Sequence, residues 1–593
     1  MSGIIGCNYE PNVNFENVVK QLHHRGPDFT AIKQIQNNFF GHTYLNISNS
    51  NDTPNQPICI DDILVVFNGV IYNNKELIIE ENLPYQTLAD TELLIRLYQK
   101  YQEKFLNKLS GMFSFCIYDI KANKFFCARD RYGKKPFFYF FKEGKFIFSS
   151  MIKPIITLLE RTPKINRIAL SQYLQYFVPL NDNTFFQDIQ KLEAASYLII
   201  QNNQLIIKRY YKINTYKKIK EESVALKDIE ALLIKSVEQR IKANVEVGSL
   251  LSGGIDSSLI SALYSKISGK RLHTFSVGYS DYPSYSELPY ANIVAKHINS
   301  HHHPLEISQK EFIGSFEEAL EFLEEPHGDS ASVPLFLLSK KIKETGIKTV
   351  LSGEGSDEIF LGYDNYAKFL NYYAFEKSLS SKQNSFMDSI IIALQNNTKE
   401  SEYLRRVIKK ETLYNSFGEI FTNIQKKRLF KKVPHFKSET PKQDPVDWMS
   451  YIDLKIWLGQ SLLSKVDKMS MAHSIEVRNP FLDFNLVNYM FSVDSSLKMG
   501  DTNKYLLKKI AAKYIPEEII NRTKKGFNSP FNEWIFSHYG DEILTLILEV
   551  NEETGFFNEN YLKQIFYLAK EKKFKQHLWS LFVFSKWFKR TYY

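Results

Sequence analysis

The sequence predicts two kinds of folding unit, a β-rich layered domain at the N-terminus and an α/β domain after it. Up to about residue 211, short runs of aromatic and β-branched residues alternate with turn residues, a pattern typical of stacked sheets. From about residue 222, apolar residues recur at helical spacing, and strand-like runs then alternate with helical ones. This alternation is typical of a parallel sheet with helical crossovers.

The first domain contains six predicted strands, with the sequences GIIGCNY, ILVVFNG, MFSFCIYDI, KFFCARD, FFYFF and KFIFSS. Two further apolar runs flank Asn202 and Asn203, a pair that favours a tight hairpin turn. We expect this hairpin to close the first domain, which then covers residues 1–211. The change of pattern between residues 212 and 222 predicts a boundary there, so that the second domain covers residues 222–593.

The second domain begins with a predicted amphipathic helix, because Leu226, Ile229, Leu233 and Val237 share one helical stripe. The runs VGSLL, LHTFSVG and IKTVLSG follow as strands separated by helices. The charged stretch from about residue 375 to 445 predicts helical surface structure.

Length and composition indicate a globular protein with several hydrophobic cores. The chain has 593 residues, of which 44% are hydrophobic and 24% charged. A net charge of +9 is small for this length and does not indicate a nucleic-acid partner. We interpret the basic cluster of Lys426, Lys427 and Arg428 as a solvated helix face rather than a phosphate-binding surface.

The cysteines and the hydropathy pattern predict a soluble cytoplasmic protein. No pair among the four cysteines has CxxC spacing, so we expect buried free thiols in a reducing compartment: Cys7, Cys59, Cys116 and Cys127. The sequence shows no signal peptide and no run of about 18 apolar residues that would span a membrane.

The run SGGIDSS, residues 252–258, connects an apolar strand to an apolar helix. Backbone N–H groups and the helix dipole at such a turn favour a phosphate. The turn glycines are Gly253 and Gly254, and the hydroxyl donors are Ser252, Ser257 and Ser258. The run has neither a Walker A ending nor a GxGxxG pattern, but it matches the pyrophosphate loop of enzymes that split ATP into AMP and pyrophosphate.

Acidic residues near this turn indicate a cation. Asp256 would repel a phosphate unless a cation lay between them, which implies Mg²⁺. A second run, SGEGSDE at residues 352–358, also follows a predicted strand, and carboxyl ends of parallel strands lie together. We therefore expect Asp357 to complete the metal site and Glu354 to accept a proton or orient an amine.

Four motifs in order resemble the synthetase domain of asparagine synthetases: SGGIDSS, EEPHGDSASVP (324–334), SGEGSDEIFLGY and LLSKVDKMSMAHSIEVRNPFLD (462–483). The resemblance implies that a carboxylate, aspartate in the family, reacts with ATP to form an acyl-adenylate and pyrophosphate. Ammonia would then give asparagine and AMP.

The same resemblance assigns further ATP-site residues. Leu250 and Val277 match positions that contact adenosine, and Ser352 and Gly353 would contribute backbone groups. The segment NRTKKGFNSP resembles the family segment with a catalytic lysine, which falls on Lys524. Its ammonium would stabilise charge at the α-phosphate.

A histidine cluster, His297 with His301, His302 and His303, suggests a metal site at first sight. Consecutive side chains cannot easily all point at one ion, so we do not expect a metal there.

The first domain resembles class II glutamine amidotransferases, in HRGPD (24–28), NGVIYN (68–73), ADTE (89–92), LSGMFSFCIYD (109–119) and RDRYGKKP (129–136). The resemblance implies an αββα sandwich of the N-terminal nucleophile type. In that family a cysteine follows the initiator methionine, and its thiol attacks glutamine.

This sequence departs from the amidotransferase pattern at three positions. Ser2 stands at the nucleophile position, Tyr44 replaces the arginine that pairs with the glutamine carboxylate, and Val70 replaces the acid that holds its amino group. Asp90 is retained, and the pair Asn68 and Gly69 could still form an oxyanion hole. We expect glutamine hydrolysis to be absent, although an active Ser2 nucleophile and an engineered cysteine-to-serine change remain alternatives.

The sequence thus predicts an ATP- and Mg²⁺-dependent ligase that joins a small carboxylate to ammonia. Alternatives in the same family are internal amide closure on a natural-product precursor and amidation of a sugar acid. β-Lactam synthetases place a tyrosine where Glu354 stands, which favours intermolecular amidation here. A non-catalytic scaffold and a tRNA-modifying enzyme are less compatible with the intact loops and the paired domains. The oligomeric state is not readable from the sequence, and a homodimer is one candidate.

Overall fold

A computed structural model describes residues 2–47, 56–87, 89–213, 218–242, 245–379, 398–441, 444–523, 526 and 529–593. The strands are β1 (Ser2–Cys7), β2 (Phe29–Ile35), β3 (Asn38–Tyr44), β4 (Ile58–Ile60), β5 (Ile63–Ile71), β6 (Gly111–Asp119), β7 (Lys124–Arg129), β8 (Phe138–Lys142), β9 (Lys145–Ser149), β10 (Ile189–Lys191), β11 (Ser196–Gln201), β12 (Gln204–Arg209), β13 (Val247–Leu250), β14 (His273–Tyr279), β15 (His301–Ile307), β16 (Thr349–Leu351) and β17 (Glu476–Arg478).

The α-helices are Phe15–Lys20, Asn74–Glu80, Asp90–Tyr101, Ile152–Leu159, Arg167–Tyr176, Glu222–Ile241, Ile255–Ser268, Leu288–His297, Gln309–Leu323, Ser332–Glu344, Ser356–Phe360, Asn365–Ser378, Lys399–Lys409, Asn423–Leu429, Pro445–Ile452, Leu463–Met471, Phe484–Ser492, Ser495–Met499, Tyr505–Ala511, Glu517–Asn521, Phe531–Tyr539, Glu542–Thr554, Glu559–Lys570 and Lys575–Tyr592. Short 3-10 helices are His23–Arg25, Gln102–Lys108, Pro283–Tyr285 and Pro480–Leu482. A π-helix covers Asp453–Leu462.

The N-terminal part is a sandwich of two six-stranded antiparallel sheets. Their strand orders are β10-β8-β9-β1-β3-β2 and β12-β11-β7-β6-β5-β4. Side chains alternate between the faces of each strand, so every second residue enters the core between the sheets, as Ile4 of β1 and Val66 of β5 do. Helices cover the outer faces, and the predicted αββα sandwich is confirmed.

The predicted strands of the first domain are found as β1, β5, β6, β7, β8 and β9. The closing hairpin pairs β11 with β12, and both turn residues, Asn202 and Asn203, have positive φ angles of 51° and 57°. Asparagine tolerates this left-handed conformation better than most residues, which explains the turn.

The second sheet is parallel, with the order β15-β14-β13-β16-β17. Strands β13 and β16 are direct neighbours, with Ser249 opposite Leu351. Their carboxyl ends therefore lead side by side into the runs 252–258 and 352–358. The predicted first helix of this part is confirmed as Glu222–Ile241.

The charged stretch before residue 445 is not only surface structure, contrary to the prediction. Arg406 is buried and pairs with Glu402 and Glu419, at 3.2 and 2.7 Å. The Lys426 ammonium donates to Gln175 Oε1 at 2.5 Å and is buried, so its predicted solvated position is wrong. Glutamates of the same stretch neutralise Arg406. The contact of Lys426 with Gln175 packs this stretch against the helix Arg167–Tyr176.

The cysteines are free in the described part of the chain, and three are buried: Cys7, Cys116 and Cys127. Cys59 is partly exposed, which differs from the prediction that all four are buried. Among the described helices, none has both the length and the apolar composition needed to cross a membrane.

Candidate active site

The run 252–258 forms a tight loop between β13 and the helix Ile255–Ser268. Gly253 has a φ angle of +73°, and a Cβ there would lie 2.5 Å from the Ala291 nitrogen. Only glycine fits this position. Ser252 Oγ accepts a hydrogen bond from the Gly254 N–H at 3.2 Å and lies 3.0 Å from Ser257 Oγ. The loop thus winds over the N-terminus of the helix, where backbone dipoles favour an anion.

The two loops touch each other at glycine. A Cβ at Gly353 would lie 2.8 Å from the Ser257 nitrogen, so a side chain there would separate the loops. Ser352 is buried, and its N–H donates to the Arg478 carbonyl at 2.9 Å. The hydroxyl of Ser258 is buried, and no group in the described ranges bonds to it.

A lysine lies between the two predicted metal ligands. Lys504 Nζ contacts Asp256 at 2.5 Å and Asp357 at 2.6 Å. Burial disfavours the ammonium, but the two carboxylates outweigh this effect and hold the pKa of Lys504 above its ordinary value. Ser356 Oγ also donates to Asp256 Oδ1 at 2.6 Å. Sequence reasoning missed Lys504 because no recognisable motif surrounds it.

Asp256 and Asp357 are close enough to share one cation, so the donor set fits Mg²⁺. No group of three or more His, Cys, Asp or Glu residues suited to a metal occurs among the described residues. A Mg²⁺ ion here would need phosphate oxygens and water to complete its six ligands, as it does in many nucleotide sites.

Glu354 lies half-buried in the second loop, and its N–H donates to Ser352 Oγ at 3.2 Å. Burial raises the pKa of Glu354, while the nearby Lys465 ammonium lowers it. Lys465 pairs with Asp329 at 2.6 Å, which brings the runs 324–334 and 462–483 to this loop. A carboxylate with a raised pKa is suited to accept a proton.

Arg522 ties the C-terminal part to the first loop. Its Nη1 donates to the Gly253 carbonyl at 2.8 Å, its Nη2 pairs with Glu287, and its guanidinium lies 4.2 Å from the centroid of the Tyr290 ring. Lys524 lies outside the described residues. Arg522 was not identified from the sequence, although it stands in the same NRTKKGF segment.

The two residues matched to adenosine contacts lie on neighbouring strands. Leu250 ends β13 and is partly exposed, whereas Val277 belongs to β14 and is buried. Leu250 is in register with Phe275, two residues before Val277. Both side chains therefore lie on the β13–β14 pair, from which the first loop emerges.

The histidine cluster lies at the outer edge of the parallel sheet. His301, His302 and His303 begin the edge strand β15, and neighbouring side chains point to opposite faces. His303 Nε2 lies 2.8 Å from His273 Nδ1, whereas His302 Nδ1 lies 2.9 Å from Thr274 Oγ1.

In the first domain, the retained amidotransferase residues lie close together. Ser2 is buried, and its N–H donates to Asn68 Oδ1 at 3.2 Å. Asn68 Nδ2 has no hydrogen-bond partner in the described part of the chain. A Cβ at Gly69 would lie 2.2 Å from the Met112 carbonyl oxygen, so glycine is required there. Asp90 accepts hydrogen bonds from the Ile71 N–H at 2.9 Å and Asn74 Nδ2 at 2.5 Å, and burial raises its pKa to about 6.

Tyr44 and Val70, at which this sequence departs from the amidotransferase pattern, lie in the same region as Ser2 and Asn68. Tyr44 is directly opposite Ser2 in the β1–β3 register, and Val70 packs in a small apolar cluster with Tyr72, Met112 and others. Arg25 Nε reaches the Ser2 carbonyl at 3.4 Å, but its guanidinium pairs with Asp467 of the second domain at 2.9 Å. Arg25 is therefore already neutralised by Asp467.

Comparisons with known proteins agree with the geometry. The family described as asparagine synthase matches residues 228–589, and a glutamine amidotransferase domain matches residues 1–211. Asparagine synthetase [glutamine-hydrolyzing] 1 of Bacillus subtilis is 29% identical, covering 99% of this chain and 96% of that protein. A putative asparagine synthetase [glutamine-hydrolyzing] of Mycobacterium tuberculosis is 32% identical over 81% of this chain and 76% of its own length. Amidase chry2 of Gibberella zeae is 25% identical, covering 90% of this chain and 87% of its own.

The match covers most of the second domain, and the motifs that carry it surround the two loops described above. The chain therefore belongs to the asparagine synthase family, with a glutamine amidotransferase domain in front, and is a ligase that forms carbon–nitrogen bonds in an ATP-dependent amidation.

Proposed function

We propose that the protein converts aspartate and ammonia into asparagine, with release of AMP and pyrophosphate, and that it does not use glutamine. The observation that carries this proposal is the contrast between two sites. The paired loops bring Asp256, Lys504 and Asp357 into contact, with Glu354 in the second loop. In the first domain, Tyr44 and Val70 stand where the resemblance to amidotransferases expects charged partners for glutamine.

We infer the roles of the ATP-site residues from the resemblance to asparagine synthetases and from where the described residues lie. The first loop binds pyrophosphate through Ser252, Gly253, Gly254, Ser257 and Ser258. Leu250, Val277, Ser352 and Gly353 contact adenosine. Asp256 and Asp357 would hold Mg²⁺, which neutralises phosphate charge when it is bound. Lys524 stabilises charge at the α-phosphate. Arg522, two positions earlier in the sequence, donates to the Gly253 carbonyl of the first loop, which supports this proposal.

The reaction has two steps. An aspartate side-chain oxygen bonds to the α-phosphorus of ATP, and the bond to the leaving pyrophosphate breaks. The ammonia nitrogen then bonds to the acyl carbon, the bond from that carbon to the AMP oxygen breaks, and one proton passes to Glu354. The raised pKa of Glu354 supports its role as proton acceptor in this second step.

The division into domains 1–211 and 222–593 is part of the proposal, and the two family matches support it.

We also propose a cytoplasmic location, in line with the free thiols of the described part. Whether the protein forms a homodimer is tested by its mass in light scattering.

Another carboxylate is a second candidate substrate. Two relatives named amidase align with 90% and 96% of this chain, at 25% identity. A natural-product precursor or a sugar acid could therefore replace aspartate as the substrate. Product mass spectrometry after incubation with ATP, ammonium and a panel of acids distinguishes these substrates.

Pyrophosphate release tests the adenylation step. We expect Asp256→Ala and Asp357→Ala each to reduce carboxylate-dependent pyrophosphate release by about a thousandfold, because each removes a cation ligand. Asp541→Ala is a matched control, since this aspartate side chain is 82% exposed. Parent-like rates in both loop variants would disprove the assignment of the metal ligands.

A further inference from the structure

Three histidines lie on one face of the parallel sheet, at the amino ends of its two outer strands. His273 begins β14, and its register partner His301 begins β15. His303 follows two residues later and therefore points to the same face as His301. His273 stands 30 positions before His303, so the sequence alone did not place it in this cluster.

Two of these imidazoles already bring nitrogen atoms together. His303 Nε2 lies 2.8 Å from His273 Nδ1 in a hydrogen bond, so the lone pair of one nitrogen points at the other. Two nitrogens bound to a tetrahedral metal at about 2.0–2.1 Å are about 3.3 Å apart. A separation of the two rings by about half an ångström would therefore admit a metal ion.

A carboxylate favours the tautomer of His273 that a metal requires. Glu246, directly before β13, places its Oε1 3.4 Å from His273 Nε2. A proton on Nε2 faces this carboxylate and leaves the lone pair of Nδ1 free on the side of His303. Histidines that bind metals commonly donate their second ring nitrogen to a carboxylate in this way. Glu246 thus orients His273 from behind.

The histidine pair is accessible to solvent, and its environment favours neutral imidazole. The His273 side chain is 24% exposed, and His303 is also partly exposed. Burial lowers the pKa of His303, and the nearby His273, His301 and Lys341 lower it further. Neutral imidazole is the form that binds metals, and it prefers Zn²⁺, Ni²⁺ and Cu²⁺ to Mg²⁺.

We propose that His273 and His303 bind one divalent transition-metal ion, such as Zn²⁺, Ni²⁺ or Cu²⁺, with Glu246 as the carboxylate behind His273. The ion would join the edge strand β15 to β14. Water fills its other positions, so binding is reversible and weaker than at a four-ligand zinc site. This two-ligand site differs from the groups of three or more ligands that are absent from the described ranges.

The proposed histidine site is separate from the proposed Mg²⁺ site. His273 and His301 begin their strands, whereas the two ATP loops leave the carboxyl ends of β13 and β16. The strands are parallel, so the two sites lie at opposite edges of the sheet. Binding at the histidines can therefore be measured without ATP, aspartate or ammonia.

Calorimetric titration of the full-length protein with Ni²⁺ tests the site. Excess Mg²⁺ is present throughout, because it occupies carboxylate sites and competes poorly for imidazole. We expect Glu246→Gln to weaken Ni²⁺ binding about tenfold, as the loss of such a carboxylate does at other metal sites. His273→Gln and His303→Gln should each weaken it at least as much, since each removes one of two ligands.

His302→Gln is the matched control on the same strand. His302 lies on the opposite face of β15, where its Nδ1 is 2.9 Å from Thr274 Oγ1. This variant should bind Ni²⁺ as tightly as the parent does. Ni²⁺ should also raise the melting temperature of the parent and of His302→Gln more than that of His273→Gln.

Parent-like Ni²⁺ affinity in a folded His273→Gln variant would overturn the proposed site, even if His303→Gln does not fold. An equal loss of affinity in His302→Gln would also overturn it, because binding would then not depend on one face of the strand. Electron paramagnetic resonance of the Cu²⁺-loaded parent should show coupling to two nitrogens that is lost in His273→Gln. None of these measurements involves catalysis, so they stand or fall independently of the proposed function.

Discussion

Lys504 is a buried cation that holds the two ATP loops together. It is 4% exposed and lies between carboxylates that are about one-fifth exposed. Two carboxylates this close repel each other unless a cation lies between them. Lys504 thus neutralises the two carboxylates that we propose as Mg²⁺ ligands, and its contacts keep the two loops together.

Replacing this cation should make the protein dependent on Mg²⁺ for stability. We expect Lys504→Met to lower the free energy of unfolding by about 3 kcal/mol without Mg²⁺, since the carboxylates would lose their shared partner. Added Mg²⁺ should raise the melting temperature of this variant more than that of the parent. Calorimetry with and without Mg²⁺ measures both effects.

Lys509→Met, on the same helix Tyr505–Ala511, is the control for this prediction. Lys509 pairs with Glu222 at the surface, so its loss should change neither stability nor the response to Mg²⁺ appreciably. If Lys504→Met is as stable as the parent and insensitive to Mg²⁺, the bridging role of Lys504 is wrong.

Asp90 gives the amidotransferase pocket a pH-dependent stability. Burial raises its pKa from 3.8 to about 6, so the folded state binds an extra proton between these values. The contribution of Asp90 to the free energy of unfolding is therefore largest below pH 4, and it falls by about 2 kcal/mol as the pH rises to about 6. This figure is reduced to allow for the partial exposure of the side chain. Asp90→Asn should gain this amount relative to the parent between pH 4 and pH 7. Urea unfolding at both pH values measures the gain, and parallel pH profiles of the two proteins would contradict it.

The π-helix Asp453–Leu462 begins at a buried aspartate with several donors. Asp453 accepts hydrogen bonds from Tyr366 Oη at 2.8 Å, Tyr414 Oη at 2.5 Å, Ser416 Oγ at 2.9 Å and the Phe417 N–H at 2.7 Å. These bonds attach the start of the π-helix to the helix Asn365–Ser378, through Tyr366, and to the loop that contains Tyr414, Ser416 and Phe417. The same π-helix carries Gly459 and Gln460, which line a small cavity between the two domains.

Removing the acceptor should loosen this element. We expect Asp453→Ala to lower the free energy of unfolding by about 3 to 5 kcal/mol, because it leaves several buried donors without a partner. Tyr366→Phe removes only one of the donors and should cost about 1 kcal/mol. Equilibrium unfolding in urea measures both, and equal losses in the two variants would show that Asp453 does not organise the π-helix.

How well each element could be predicted depends on where its stabilising interactions come from. Central strands such as β6 are buried on both faces, so their aromatic and β-branched runs are visible in the sequence. No residue of the edge strand β2 is fully buried, and its sequence, FTAIKQI, lacks a continuous apolar run. It forms because it pairs with β3, a contact that local sequence does not encode.

The residues of the candidate site also fall into two groups, those whose role the local sequence predicts and those whose role depends on contacts distant in sequence. The glycines of the first loop are required by local backbone geometry, so the run SGGIDSS is recognisable by itself. Lys504 reaches Asp256 from 248 positions away, and its role depends on how the helices of the second domain fold back over the sheet. Likewise, the wrong prediction for Lys426 arose because Gln175, its partner, is distant in sequence.

The two domains are joined through buried charges. Asp467 pairs with Arg25 and with Lys135 of the first domain, each at 2.9 Å. Burial opposes ionisation, but the two cations hold the pKa of Asp467 below its ordinary value. Removing one member of such a group would leave an unpaired buried charge, which is strongly destabilising. These ion pairs make the first domain a packing partner of the synthetase domain, whether or not its own pocket is active.

The source of the amide nitrogen decides whether the first domain is only a packing partner. The purified protein is incubated with MgATP and aspartate, once with ¹⁵N-ammonium plus unlabelled glutamine and once with glutamine labelled at its amide nitrogen plus unlabelled ammonium. Mass spectrometry of the product then reports the nitrogen source. With Ser2, Tyr44 and Val70 in the pocket, we expect the label to enter asparagine only from ammonium. Label from the glutamine amide would show that Ser2 is a working nucleophile and would contradict the loss of glutamine use.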